Sequence, residues 1–382
     1  MIEWSETDLL IRDTIREFVD KEIRPHVDEL EYGELTPYEL IRKFFTTFGL
    51  DAMARDSFDP NRTAGATDGG REALSLIAVS ELCRVSMGLV TAMGVSAGLA
   101  AGTIMSRGTA EQRRRWALDL LTFDKVGAWA ITEPDSGSDA FGGMRSTLRA
   151  AGDEYVLNGQ KTFITNGPYA DTLVVYAKLD GEIATCVLDS GMPGLTQSKP
   201  LRKMGIHSSP TGQLFFEDVR VRPDRILGGG GKESARANFA TERFGVAAMS
   251  LGVIEECLRL CVDYAKSRTL WGKPIGDFQL IQLKLATMEV ARLNVQNLVF
   301  RIIELLRAGT TPTLAEASAM KLYSSQAATD VAMEAVQLFG GNGYMSEYRV
   351  EQLARDAKSL MIYAGSNEVQ ATHIAKDLLG AP

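Results

Sequence analysis

Glu242 and Arg243 stand side by side at the head of an uncharged run, Phe244 to Ile254, in the stretch NFATERFGVAAMSLGVI. The run reads as a buried helix. A carboxylate and a guanidinium at its mouth have two readings. One is a solvated helix start, because acids are favoured in a first turn. The other is a proton acceptor and an anchor at the edge of a desolvated pocket, where a carboxylate's pKa rises toward the working range.

Other stretches carry residue types suited to a flat polar ligand. In WAITEPDSGSD, Trp129 to Asp139, a strand gives way to a loop of hydroxyl and glycine residues, which lets a ligand approach the backbone. In TFITNG, Phe163 and Thr165 share a strand face, an aromatic surface beside a hydroxyl. In RTLWGKPIGDFQ, Arg268, Trp271 and Gln279 gather a cation, an aromatic and an amide near one loop. Each alone also reads as an ordinary turn.

Several chemistries find no support. There are three histidines, His26, His207 and His373, with no H-E-x-x-H pair and no Cys/His cluster for a metal. The GSD at Gly137 lacks a nucleophile elbow. FGGNGY, Phe339 to Tyr344, follows a helix rather than a strand and fails the context for a dinucleotide fingerprint. GGGGKES, Gly228 to Ser234, lacks the P-loop order and reads as a flexible linker. A net charge of −8 argues against a nucleic-acid partner. Cys83, Cys186, Cys257 and Cys261 read as reduced core residues. The acidic start MIEWSETDLL is neither signal nor transit peptide, and no apolar run reads as long enough to span a membrane. The expected compartment is the cytoplasm.

The elements that must position these residues come in the order helices, sheet, helices. Ser5 is a candidate N-cap for a helix with Ile11, Ile15, Phe18 and Val19 on one face, and Pro25 marks its end or the next start. REALSLIAVSELCRVSMGLVTAMGVSAGLAAGTIMSRG is a helical stretch apolar enough for a bundle interior, and Thr109 caps a further helix. EYVLNGQKTFITNG predicts two strand-like runs about an Asn158-Gly159 hairpin. DTLVVYAKLDGEIATCVLD repeats the pattern about Asp180-Gly181, and GQLFFEDVRV adds a strand. Long helices are predicted from about Ala235 to Arg268, Asp277 to Arg307 and Thr313 to Phe339, with a short one closing the chain. The expected units are a helical domain over 1–122, a β domain over 123–231 and a helical bundle over 232–382. No βαβ alternation supports a Rossmann fold.

Taken together and in register, ITEPDSGSD, NGQKTFITNG, FEDVRV, R-x-x-W-G-K…FQ, QLFGGNGY…EY and RDAK…IYAGSNEVQ resemble the acyl-CoA dehydrogenase family along essentially the whole chain. The resemblance implies an α+β multidomain fold: an α-helical N-terminal domain, a central β barrel and a C-terminal four-helix bundle, usually a homotetramer with FAD in each subunit. Trp129, Ile131, Thr132, Phe163 and Thr165 would contact the isoalloxazine, with Gly137 and Ser138 near flavin and substrate. Arg268, Trp271, Gln279, Gln337 and Gly341 would hold the pyrophosphate and adenosine end of a neighbour's FAD. Ser366 and Glu368 would contact FAD from the first subunit, and Tyr363 and Gly365 would border the substrate.

The implied reaction is α,β-dehydrogenation of an acyl-CoA thioester to the trans-2-enoyl-CoA. A base takes the α-proton and hydride passes to flavin N5. A flavin ribityl hydroxyl and the Ala364 N–H would donate to the thioester carbonyl oxygen. In many relatives the base is a Glu in the slot that Ala364 occupies here. The chain is similar instead to isovaleryl-CoA and long-chain enzymes, whose base precedes an Arg at the start of a bundle helix. Glu242 is then the base, and Arg243 helps anchor the substrate. Electron-transferring flavoprotein is the expected acceptor. The alternatives are an oxidase or flavin monooxygenase of the same fold, or a non-catalytic partner subunit that binds acyl-CoA.

Overall fold

The computed structural model describes residues 3–59, 71–229, 231–310 and 312–380, and for residues 71–72 and 231–241 the backbone alone. The helix α1 (Glu6–Phe18) starts in a capping box, with the Ser5 hydroxyl accepting from the Asp8 N–H and the Asp8 carboxylate accepting from the Ser5 N–H. The predicted cap is therefore present. Beyond it the backbone loosens into a π turn, and Arg24–His26, which contains Pro25, forms a 3-10 turn.

The long apolar stretch that reads as one helix is two. The first part, α2 (Arg71–Cys83), ends before Ser86, whose extended backbone and hydroxyl cap the next helix. That next helix, α3 (Met87–Arg107), is long and apolar enough by length and composition to cross a bilayer, contrary to the expectation from sequence. Its apolar residues are spent inside the protein: Leu89 and Val90 pack with the helical core, and Leu99 and Ile104 against the sheet. A helix sandwiched between two layers is apolar on more than one face.

Seven strands form one curled sheet: β1 (Gly127–Ala130), β2 (Thr147–Ala151), β3 (Glu154–Thr165), β4 (Thr172–Leu179), β5 (Glu182–Asp189), β6 (Leu195–Gln197) and β7 (Thr211–Val221). Along β4 the side chains alternate. Leu173, Val175 and Ala177 join one core, while Val174 and Tyr176 join the core shared with α3. Asp180-Gly181 is the expected two-residue hairpin, both residues having positive φ, with Leu179 paired to Glu182. Asn158-Gly159 is not a hairpin. It lies inside the single strand β3, where pairing to β7 slips between Leu157 and Gly159. Gly159 has φ +144°, and a Cβ there would lie 2.7 Å from the Ser146 Cα, so the dipeptide marks a bulge and a close backbone approach.

The C-terminal helices are α4 (Gly231–Ser267), α5 (Gln279–Arg307), α6 (Leu314–Phe339), α7 (Val350–Leu360) and α8 (Asn367–Leu378). The expected linker at Gly228–Ser234 is already helical from Gly231 onward, and Gly230 lies outside the described residues. The single short closing helix expected from sequence is a pair, α7 and α8, joined by the segment that carries Ala364. The N-terminal helices and the bundle share one hydrophobic core, in which Ile15, Ile77, Val253, Val299, Ala328 and Leu353 are all buried.

Candidate active site

About three turns into α4, rather than at a helix start, Glu242 and Arg243 lie near the α7–α8 connection and a buried lysine on α6. Glu242 is half-buried on α4, and Arg243 beside it is only 3% exposed. Arg243 Nη1 donates to Ser318 Oγ on α6 at 3.2 Å. One turn along α6, Lys321 is fully buried and donates to the Gly365 carbonyl and to Asn367 Oδ1, both at 2.9 Å. A Cβ on Gly365 would lie 3.7 Å from Arg243 Nη2, so the guanidinium borders the same loop.

The loop has an unusual backbone. Ala364 has φ +57° and Gly365 φ +81°, two successive left-handed residues. Position 365 favours glycine because of this φ, and a Cβ there would also displace the Gln370 amide, 2.7 Å away. Gln370, buried on α8, donates Nε2 to the carbonyls of Ala364 and Gly365 at 3.0 and 2.7 Å. Both carbonyls are therefore turned toward α8 and α6. The Ala364 N–H finds no acceptor among the described residues. Arg243 Nε, Asn367 Nδ2 and Gln370 Oε1 are likewise buried with no hydrogen-bond partner among them. Buried polar atoms left unpaired around one loop call for a partner, whether a water or a ligand's polar group.

The electrostatics set the chemistry. Burial pushes Glu242 up to about 7, against the pull of the Arg243 and Lys321 charges. Burial lowers Lys321 to about 8; the Arg243 charge works in the same direction and Glu242 against it. Burial also raises the Tyr363 phenol, and the Glu242 charge adds to this. The Tyr363 hydroxyl contacts Met249 Sδ on α4 at 3.8 Å. A carboxylate whose pKa is raised toward neutrality can take a proton at working pH.

The flavin-type residues fall on the sheet and on one end of the bundle. Between β1 and β2, which follow the same edge of β4 one after the other, the chain loops out over residues 131–146. That loop is held by Glu133, which accepts from the Arg145 and Ser146 N–H groups and from Lys161 Nζ at 2.8 Å. Lys161, fully buried, also donates to the Ile131 carbonyl. Gly137 and Ser138 are exposed at the loop, and Thr132 bonds Thr162 through both backbone and hydroxyl. Phe163 is held at φ +58° beside a register slip and is 69% exposed, while Thr165 is partly buried. An aromatic face held out by a strained backbone suits a stacked ring.

The Trp129 side chain faces the core. Its indole N–H donates to Thr103 Oγ1, and its ring packs edge-on against Tyr176. Ile131 is buried in the same core. Both side chains are engaged in packing.

The second set gathers where α4 ends and α6 ends. Tyr264 stacks on Phe339 at 4.0 Å and accepts from Asn342 Nδ2, which ties the two helix ends together. Around that tie lie Arg268, Gln337 and Gly341, all exposed, with no neighbour within 4 Å of a Cβ at Gly341. Trp271, in the small hairpin Thr269–Pro274, is 84% exposed, and Gln279 opens α5. Arg268 has no acidic partner among the described residues, as a phosphate anchor requires. Ser366 is partly buried and Glu368 exposed at the start of α8. The residues present fit FAD: an exposed aromatic face, a free guanidinium and glycine-lined backbone.

Lys321, Asn367, Gln370 and Lys161 escaped the reading of the sequence. A signal exists for Lys321. It is the cation in a row of small buried residues, Ala317, Ser318, Ser324, Ser325 and Ala328, on one helix face.

Three family models match in order: the acyl-CoA dehydrogenase N-terminal domain over residues 5–124, middle domain over 128–219 and C-terminal domain over 229–379. An acyl-CoA dehydrogenase of Bacillus subtilis is 36% identical over 384 aligned positions, which cover 98% of this chain and 99% of the relative. The butyryl-CoA dehydrogenase structure from Megasphaera elsdenii superposes with a TM-score of 0.89 at 34% identity, covering 99% of this chain and all of that one. A glutaryl-CoA dehydrogenase from Mycobacterium smegmatis, solved in complex with FADH2, gives 0.89 at 28% identity, covering 99% of this chain and 95% of that one. The chain belongs to the acyl-CoA dehydrogenase family, FAD-dependent oxidoreductases that dehydrogenate acyl-CoA thioesters.

Proposed function

We propose that Glu242 is the base that takes the α-proton of the acyl-CoA thioester. The observation that supports this most is that Glu242 feels the charges of Arg243 and Lys321, which border the loop whose usual acidic slot is Ala364, a residue that cannot accept a proton. FAD, when bound, supplies the hydride acceptor. The chain's own groups do the rest. The Ala364 N–H donates to the thioester oxygen as negative charge develops there. Arg243 anchors the substrate beside the carboxylate, and Tyr363 and Gly365 border it. Phe163, Thr165, Thr132 and the Gly137-Ser138 loop offer one face to the flavin ring. Arg268, Trp271, Gln279, Gln337 and Gly341 hold the phosphate and adenosine end of a neighbouring subunit's cofactor, so the enzyme is at least a dimer, and the family resemblance makes it a homotetramer. Ser366 and Glu368 complete the cofactor site. The acceptor is an electron-transferring flavoprotein, and the compartment is the cytoplasm. With alanine in the terminal slot, branched short-chain and longer straight-chain thioesters both have room beside the reacting carbons.

The test is anaerobic flavin reduction by a panel of acyl-CoA thioesters, parent against Glu242→Gln. The variant is expected to bind FAD and thioester and to reduce its flavin ~10²-fold more slowly or worse. Reduction as fast as in the parent would move the base elsewhere. A colourless parent that takes up no flavin would favour a non-catalytic subunit, and peroxide released at the rate of turnover would favour an oxidase.

A further inference from the structure

Lys321 belongs to no part of the reaction as described, yet its ammonium is at the point where the parts meet. It rises from α6, is fully buried, and spends two of its three donors on the Gly365 carbonyl and on Asn367 Oδ1. Asn367 Oδ1 also accepts from Ser325 Oγ at 3.0 Å, so the first residue of α8 is pinned to α6 twice. The carbonyl that Lys321 holds lies two peptide planes beyond the Ala364 N–H, and Gln370 Nε2 holds the plane between through the Ala364 carbonyl. With both planes pinned, the φ/ψ freedom left to the Ala364 N–H is reduced. A structural lysine in such a place would be expected to pair with a carboxylate, since burying an unpaired ammonium is costly. Lys321 bonds only neutral oxygens. The charged groups facing it are Glu242 and Arg243 from α4 and Glu368 from α8.

We propose that Lys321 is a positioning residue for proton abstraction: its buried ammonium holds the Ala364-Gly365 loop in place and supplies the positive charge that offsets the neighbouring Glu242 carboxylate. The proposal rests on Glu242 being the base. The cation acts on the base through space and on the oxyanion donor through the backbone, without touching substrate. It also resolves why the loop tolerates two left-handed residues in succession, since Lys321 and Gln370 between them satisfy the carbonyls so exposed.

The experiment compares FAD-loaded parent, Lys321→Met, Lys321→Arg and Glu242→Gln, each reduced anaerobically from pH 5.5 to 9 by a saturating amount of the thioester that reduces the parent fastest in the panel. Lys321→Met keeps the length of the stem and removes the charge. It is expected to slow reduction about 10- to 100-fold at pH 7, on the scale of a misplaced donor. Its acid limb is expected to move up by about one pH unit, because an opposite charge that lowered the base's pKa is gone. Lys321→Arg is expected to return the limb most of the way to the parent's position. A Lys321→Met limb that stays where the parent's is, with or without a uniform loss of rate, would overturn the proposal, since a merely structural residue leaves the limb unmoved. Glu242→Gln separates the two ideas. If it reduces at the parent rate, the base assignment fails; if it is slow while the Lys321→Met limb is unmoved, only the role of Lys321 fails.

Discussion

The β domain and the bundle each bury a lysine completely, and the two are used differently. Burial lowers both, to about 8. In the β domain Lys161 meets the Glu133 carboxylate at 2.8 Å, and two backbone N–H groups complete that carboxylate's shell. Burial raises Glu133, but Lys161 and these donors outweigh it, and its pKa ends below the usual value. In the bundle Lys321 meets carbonyl oxygens, and the nearby Glu242 is left without a direct cationic partner among the described residues, raised to about 7. A carboxylate whose acceptor sites are filled holds a loop. A carboxylate partly desolvated and incompletely paired is available to a proton.

Breaking the satisfied pair should have the largest effect on folding. Lys161→Met leaves a buried carboxylate with only its two backbone donors, and the expected loss is roughly 3–5 kcal/mol, read from urea denaturation. Loss of FAD binding should accompany it, because the 131–146 loop is what the pair holds.

Removing the unsatisfied acid should do the opposite to stability. Glu242 has a folded pKa of about 7 against an ordinary value of 4.5. Between those values the folded state binds the proton more tightly than the unfolded state, so stability falls as pH rises from 4.5 through about 7. Glu242→Gln is expected to gain on the order of 1–3 kcal/mol at pH 8 and nothing near pH 4.5, while losing most of its activity. Equal stability of variant and parent across that range would show that the carboxylate is not held dry. In the parent, flavin reduction should rise with pH along a limb centred near 7.

Arg268→Ala sharpens the contrast from outside both pairs. Its guanidinium is exposed, so denaturation of the apoprotein should be nearly unchanged while FAD per purified chain drops. The absorbance ratio of flavin to protein measures it. Glu255→Gln should matter least. Burial also raises this acid, but it lies 4.0 Å from Arg16 at the helical junction, away from the Ala364 loop. Flavin reduction should stay within about twofold of the parent.

The sequence by itself determined the order of elements, most helix starts and the family, because these rest on local signals. Ser5 and Thr109 cap where hydroxyl and spacing say they should, and Asp180-Gly181 turns where both residues tolerate positive φ. It also pointed to Glu242, through the pairing of an acid in one place with an alanine in another. Only the tertiary structure decided which surroundings each residue meets. Asn158-Gly159 has the composition of a hairpin, but β7 pairs on both sides of it and makes it a bulge. Met87–Arg107 has the composition of a membrane span, but two packed layers take its apolar faces. Trp129 turns into the core because Tyr176 and Thr103 complete its ring and its N–H. Lys321 is one cation among many along the chain, and nothing local distinguishes it from a surface lysine except its small neighbours. Its meaning comes from α8 folding back to present Gly365 and Asn367, contacts that span more than forty residues of chain. Local propensity is written in neighbouring residues, whereas desolvation and charge pairing depend on what the fold brings from elsewhere.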